Sequence, residues 1–181
     1  MHSLAKFIFF KVLGWHLVGD FPQIQKAVII VVPHTSWIDF FLGLLVRRVL
    51  NKEMNFIAKK SLFKFPLGWY FRWMGGASID RSKNSDTVTT IASIFSTKEK
   101  FRLALSPEGT RKKVAEWKTG FYYIAKEAKV PIIMVAFDYG EKRIVISKPH
   151  TTTDNKEADF KLYKSFFKGV KGKVPEYSFT S

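Results

Sequence analysis

A histidine and an aspartate five residues apart, His34 and Asp39, are the pair best suited to chemistry in this chain. They lie in AVIIVVPHTSWIDF, residues 27–40. On one regular helix that separation would turn the two side chains about 140° apart. With His34 in a loop and Asp39 in the first turn of a helix, the carboxylate can reach back to one imidazole nitrogen. Such a contact fixes the tautomer and leaves the other nitrogen free to act as a base. The plainer reading is that Asp39 only caps a helix and His34 is an ordinary loop histidine. This stretch alone does not separate the two.

A second polar stretch is SPEGTR, residues 106–111. Gly109 permits a tight turn with positive φ, so that successive backbone N–H groups can face an anion. Thr110 adds a hydroxyl, and Arg111 adds a planar fork matched to phosphate oxygens. Arg81, at another expected strand end, supplies a second fork. Glu108 is the odd acid in this basic setting. It can orient an arginine or accept a hydrogen bond from a substrate hydroxyl. The plainer reading is a surface turn with a structural Glu–Arg pair.

The elements that must position these residues read as alternating strands and helices. Ala27 to Val32 is a β-branched run of the kind buried on both faces of a sheet. It stops at Pro33, and Ser36-x-x-Asp39 has the form of a capping box opening a helix through Phe40 to Val46. Further strands are expected at Met54 to Ala58, Ala77 to Asp80, Phe101 to Leu105 and Pro131 to Phe137, with an edge strand at Lys142 to Ser147. Helices are expected at Asn84 to Ser96, Thr119 to Lys129 and Asp154 to Val170, and residues 171–181 read as a loose tail. The pattern predicts an α/β fold, a mostly parallel mixed sheet with helices on both faces. Ligands of such sheets gather at the carboxyl ends of the strands, where His34, Arg81 and the SPEGTR turn all fall.

Two apolar stretches remain. Leu4 to Val18 is interrupted only by Lys6, Lys11 and His16. It is too short and too charged for a membrane span, which needs about 20 apolar residues. As a helix it would lie in a membrane interface or pack on the domain's own sheet. The expected division is therefore an N-terminal membrane-associating helix over residues 1–20 and a single α/β domain over 21–181. SLFKFPLGWYFRWMGG, residues 61–76, brings Trp69, Phe71 and Trp73 beside basic residues, so it can line an acyl-chain groove, meet headgroups or fill core.

Composition narrows the partners. A formal net charge of +15 favours anions: nucleic acid, anionic lipid, an acidic carrier protein or a phosphorylated substrate. With no cysteine there is no disulfide, thiolate metal site or cysteine nucleophile. The serine-hydrolase elbow, the phosphate-binding loop of nucleotide hydrolases, the dinucleotide fingerprint and zinc-type ligand spacings are absent as well. A positioned base, an anion cradle and apolar walls together describe a site for an amphiphilic phosphate bearing a reactive hydroxyl.

His34-x4-Asp39 resembles the first motif of the glycerolipid acyltransferase family, which includes the 1-acylglycerol-3-phosphate acyltransferases. Gly76 to Arg81 resembles the second motif. SPEGTR is similar to the third, FPEGTR, with serine for phenylalanine, and Val130-Pro131-Ile132-Ile133 to the fourth, with Met134 for its second proline. The matches are collinear over about residues 27–137. The resemblance implies that His34 is the general base and Asp39 orients it, while Arg81 and Glu108 to Arg111 hold the acceptor phosphate. It implies fatty acyl transfer from acyl-CoA or acyl carrier protein to the hydroxyl of lysophosphatidic acid or a similar lyso-lipid, by a peripheral membrane enzyme on the cytoplasmic face. No cofactor, metal or nucleic acid is expected. The alternatives are the same chemistry on an amino-acid-derived or other lyso-lipid, or a basic, non-catalytic lipid- or nucleic-acid-binding module.

Overall fold

The β-branched run becomes the centre of the sheet. In the computed structural model, which describes residues 2–59, 68–69, 75–79 and 86–179, seven strands are seen: β1 (His16–Val18), β2 (Lys26–Val32), β3 (Asn55–Lys59), β4 (Gly76–Ile79), β5 (Phe101–Leu105), β6 (Ile132–Asp138) and β7 (Arg143–Ile146). Their order is β1-β7-β6-β2-β5-β3-β4. Every pairing is parallel except β6 with β7. The helices are α1 (His2–Phe7), α2 (Ile38–Leu50), α3 (Asp86–Thr97), α4 (Gly120–Ala128) and α5 (Lys156–Phe166).

Because strand side chains alternate between faces, β2 and β6 each feed two cores. Val28, Ile30, Ile132 and Met134 pack with Ile91 and Phe95 of α3, Phe121 of α4 and Tyr163 of α5. Ala27, Ile29, Ile133 and Val135 pack with Leu42, Val46 and Val49 of α2 and with Ala5 and Phe9 near the N-terminus. Ile29 and Ile30 are at most 1% exposed, and burial of such a side chain contributes about 1.5–3 kcal/mol. This is the mostly parallel mixed sheet, helix-covered on both faces, that the alternating pattern implies.

Four details differ from the sequence reading. Residues 4–18 do not form one helix: α1 passes into a π-helical segment, Ile8–Val12, and after Gly14 (φ 67°) the chain enters β1. One face of this stretch is buried at Ala5, Phe9 and Trp15, while Leu4, Phe7, Phe10, Val12 and Leu13 are exposed. β7 is not an edge strand, because three-residue β1 pairs along its outer side. The capping box forms only by half: Asp39 accepts the Ser36 N–H at 2.8 Å, while Ser36 Oγ faces the Ile38 N–H at 3.3 Å instead of closing the box.

The tail is also not loose. Gly172, Ser178 and Phe179 are buried, and the Val174 N–H donates to Thr35 Oγ1 at 3.1 Å. Gly172 is glycine for a steric reason: a Cβ there would sit 2.6 Å from Thr35 Oγ1.

Candidate active site

His34 is the second residue after β2, and Asp39 is the second residue of α2. The loop between them wraps the Asp39 carboxylate. Oδ2 accepts the backbone N–H groups of Thr35 and Ser36, each at 2.8 Å, and lies 3.2 Å from His34 Nδ1. Oδ1 accepts the Tyr139 hydroxyl at 2.7 Å. The Asp39 side chain is 2% exposed and that of His34 is 31% exposed. Burial pushes the Asp39 carboxyl up, but His34, the Ser36 N–H and the Tyr139 hydroxyl outweigh it, and its pKa falls below the ordinary value. Asp39 is therefore a held anion. Burial and the Asp39 acceptor push the Tyr139 hydroxyl far up, so it stays a proton donor.

An imidazole whose Nδ1 faces a buried carboxylate carries its proton there and keeps the Nε2 lone pair available. No hydrogen-bond partner for Nε2 is recorded among the described residues.

Glu108 joins the two motifs. Its carboxylate accepts the backbone N–H of His34 at 2.6 Å and the Ser106 hydroxyl at 3.1 Å. It is 3% exposed, and burial raises its pKa against the opposing pull of the His34 N–H and Ser106. Of the four residues expected at the anion-holding turn, Glu108 thus faces inward and holds the histidine loop. Gly109 has the expected positive φ, 65°, and its N–H donates to Ser106 O at 3.2 Å. Thr110 and Arg111 are exposed.

His34 and Arg111 border one cavity of about 680 Å³. It runs between α2 and the sheet, past Phe40, Val46 and Leu50 on one side and Ile29, Val135 and Phe137 on the other. An apolar space with a base and a guanidinium at its rim suits a long hydrocarbon chain with a polar, anionic end. Among the described residues there is no cluster of three His, Cys, Asp or Glu side chains able to hold a metal. No helix among them is long and apolar enough to cross a membrane. Arg81, Phe71 and Trp73 lie outside the described residues; Trp69 is described and is 67% exposed.

Sequence reasoning missed Tyr139. It lies 100 residues from Asp39, just past β6, and only the pairing of β6 with β2 brings it to the loop. A lone tyrosine after a buried strand carries no spacing signal. A basis for looking there did exist, since residues at the carboxyl ends of adjacent parallel strands converge.

The chain is similar to known proteins in both sequence and fold. A family model described as Acyltransferase matches residues 16–138. The 1-acyl-sn-glycerol-3-phosphate acyltransferase of Saccharomyces cerevisiae is 32% identical over 127 residues, 66% of this chain and 41% of that protein. The human 1-acyl-sn-glycerol-3-phosphate acyltransferase beta is 32% identical over 128 residues, 66% of this chain and 45% of its own length. The chain thus spans less than half the length of these curated relatives. The crystal structure of the lysophosphatidic acid acyltransferase PlsC from Thermotoga maritima superposes with a TM-score of 0.64 at 21% identity, covering 91% of this chain and 74% of that one, and so shares its fold. With the family model spanning most of the chain and containing His34, Asp39 and the SPEGTR turn, this protein belongs to the glycerolipid acyltransferase family.

Proposed function

We propose that the chain is an O-acyltransferase that moves a fatty acyl group from a thioester, acyl-CoA or acyl carrier protein, to the free hydroxyl of lysophosphatidic acid or a similar lyso-lipid. The observation that carries this reading is the His34–Asp39 pair at the rim of an apolar cavity that Arg111 also borders. The names of the relatives support the acceptor class.

His34 Nε2 takes the proton of the acceptor hydroxyl as its oxygen attacks the thioester carbonyl. A tetrahedral oxyanion forms and collapses, the C–S bond breaks, and the proton passes from the imidazolium to the departing thiolate. Asp39 holds the ring and stabilises its cation during the transfer. No acyl-enzyme is required, in keeping with a chain that has no cysteine. Arg111, with Thr110 and Arg81, binds the acceptor phosphate, and Glu108 sets the height of the histidine loop. The acyl chain lies in the cavity beneath α2.

The membrane supplies the lyso-lipid acceptor, and the enzyme rests on its cytoplasmic face as a peripheral protein. Exposed Leu4, Phe7, Phe10, Val12 and Leu13, with Trp37, Ile38 and Phe41 at the start of α2, provide apolar contact. Lys6, Lys11 and the high net positive charge favour anionic headgroups.

Thiol release by the purified protein, measured over a panel of lyso-lipids with both donor types, tests the reading. Transfer to a lysophosphatidic acid that disappears in His34→Ala is the expected result. Full transfer by His34→Ala rejects the mechanism, and vesicle binding without thiol release by the unaltered protein rejects the enzyme.

A further inference from the structure

A second cavity, of about 580 Å³, is bordered by the first turns of α2, which also border the His34 cavity; Phe41 lines both. Its apolar wall is built by Trp15, Leu42 and Leu45, and its rim carries Lys142, Lys171 and Lys173. No carboxylate lines it, and none of the three lysines forms an ion pair among the described residues. Their recorded partners are neutral: Lys142 Nζ reaches Leu13 O at 3.4 Å, and Lys173 Nζ lies 5.9 Å from the centre of the Tyr139 ring. The backbone fixes where they stand. The Tyr139 N–H donates to Lys171 O at 2.8 Å, which ties the tail segment to the end of β6.

Three exposed like charges around an apolar wall are mutually repulsive and leave that wall wet. A free inorganic anion would neutralise the charges and leave the wall uncovered. An uncharged apolar ligand would cover the wall and leave the charges uncompensated. An anionic amphiphile does both, and the cavity falls in the range of small-ligand sites, roughly 300–1,000 Å³. The cavity is also continuous with exposed Leu13, Ile38 and Phe41.

We propose that this groove binds an anionic phospholipid of the membrane leaflet. Its phosphate lies among Lys142, Lys171 and Lys173, and one acyl chain lies along Trp15, Leu42 and Leu45. Only the source of the lipid rests on the membrane reading given above. The bound lipid would touch Tyr139, whose hydroxyl holds Asp39, so the groove and the reacting centre share a wall.

The test is calorimetric titration of the full chain with dihexanoyl phosphatidic acid, which is soluble and, being diacylated, has no glycerol hydroxyl to accept an acyl group. Saturable binding is expected, with dihexanoyl phosphatidylcholine at least about tenfold weaker. Lys142→Gln/Lys171→Gln/Lys173→Gln should bind at least about tenfold more weakly, since three exposed charge contacts together are worth that much. All three side chains are exposed, so this variant retains the fold, as its thermal melt will report. Leu45→Trp, which fills the wall, should weaken binding without touching a charge.

Unchanged binding by the triple variant overturns the proposal, as does equal affinity for phosphatidylcholine or octyl glucoside. Inorganic phosphate or an acidic amphipathic peptide binding as tightly as the lipid also overturns it. So does loss of binding in Arg111→Gln with none in the triple variant, which would place the lipid in the other cavity. Because no step requires acyl transfer, an inactive but lipid-binding protein would sink the functional reading and leave the groove standing.

Discussion

Among the described residues, two buried carboxylates have nearly the same partners, and only one of them is part of a candidate site. Asp39 accepts two backbone N–H groups and a tyrosine hydroxyl and faces His34. Asp159, on α5, accepts the Thr153 N–H at 2.7 Å, the Thr153 hydroxyl at 3.1 Å and the Tyr122 hydroxyl at 3.2 Å, and faces His150 Nε2 at 2.9 Å. Both carboxyls are pushed up by burial and pulled down further by their donors. The two sets stand at opposite ends of β6: His150 bridges Ile132 at its start, and Tyr139 follows its end. Seven residues at about 3.3 Å each separate them by roughly 20 Å.

The difference lies in what the imidazole faces on its other side. His150 lies edge-on to the Tyr163 ring, 5.4 Å between centres, and belongs to the packing of α5. His34 borders an apolar cavity that Arg111 also borders. A His–Asp contact alone is therefore not a candidate site; an open cavity beside the imidazole, with a guanidinium at its rim, makes it one.

The largest effect expected is on transfer itself. His34→Ala or Asp39→Ala should lower kcat by about 10²–10⁴-fold, whereas His150→Gln should leave steady-state kcat unchanged when assayed below its melting temperature. Equal losses from the two histidines would erase the contrast. Next, Asp159→Asn should lower unfolding free energy in urea by about 1–3 kcal/mol with kcat intact. Its sign with pH follows from the depressed carboxyl. The stabilisation is present above the ordinary carboxylate value, about 3.9, and is lost as pH falls through the lower folded value, so the acid sensitivity of the variant should be blunted.

Tyr139→Phe removes one donor from Asp39 and keeps the ring against Trp15, whose centre lies 4.9 Å away. It should lower kcat by about tenfold with KM unchanged, and raise the pKa of the Asp39 carboxyl as followed by NMR, because Asp39 loses a donor that holds it down. An unmoved Asp39 titration would make Tyr139 a packing residue only. The smallest effect is that of Arg111→Ala, a several-fold rise in acceptor KM, on the order of 1 kcal/mol, with little change in kcat. A change confined to kcat would remove Arg111 from acceptor binding.

What could be read in advance tracks how local the physics is. The buried strand Ala27–Val32, the placement of His34 and Asp39 at its end and the positive φ of Gly109 follow from short-range pattern, and the structure brings them together. Tyr139, the inward turn of Glu108 and the packing of Gly172 depend on pairings across 74 to 139 residues. No window of sequence contains these. β1 was missed because a three-residue strand is too short to show alternation, and β7 was misplaced as a consequence. Residues 150–159 gave no warning that they would repeat the chemistry of the other cluster.

The contact between Gly172 and Thr35 has a temporal consequence. The turn that carries His34 is braced by a segment made almost 140 residues later, through Val174 and the buried Ser178. A nascent polypeptide emerging from the ribosome therefore holds the His34 turn unbraced until residues 172–179 have been released to close against it.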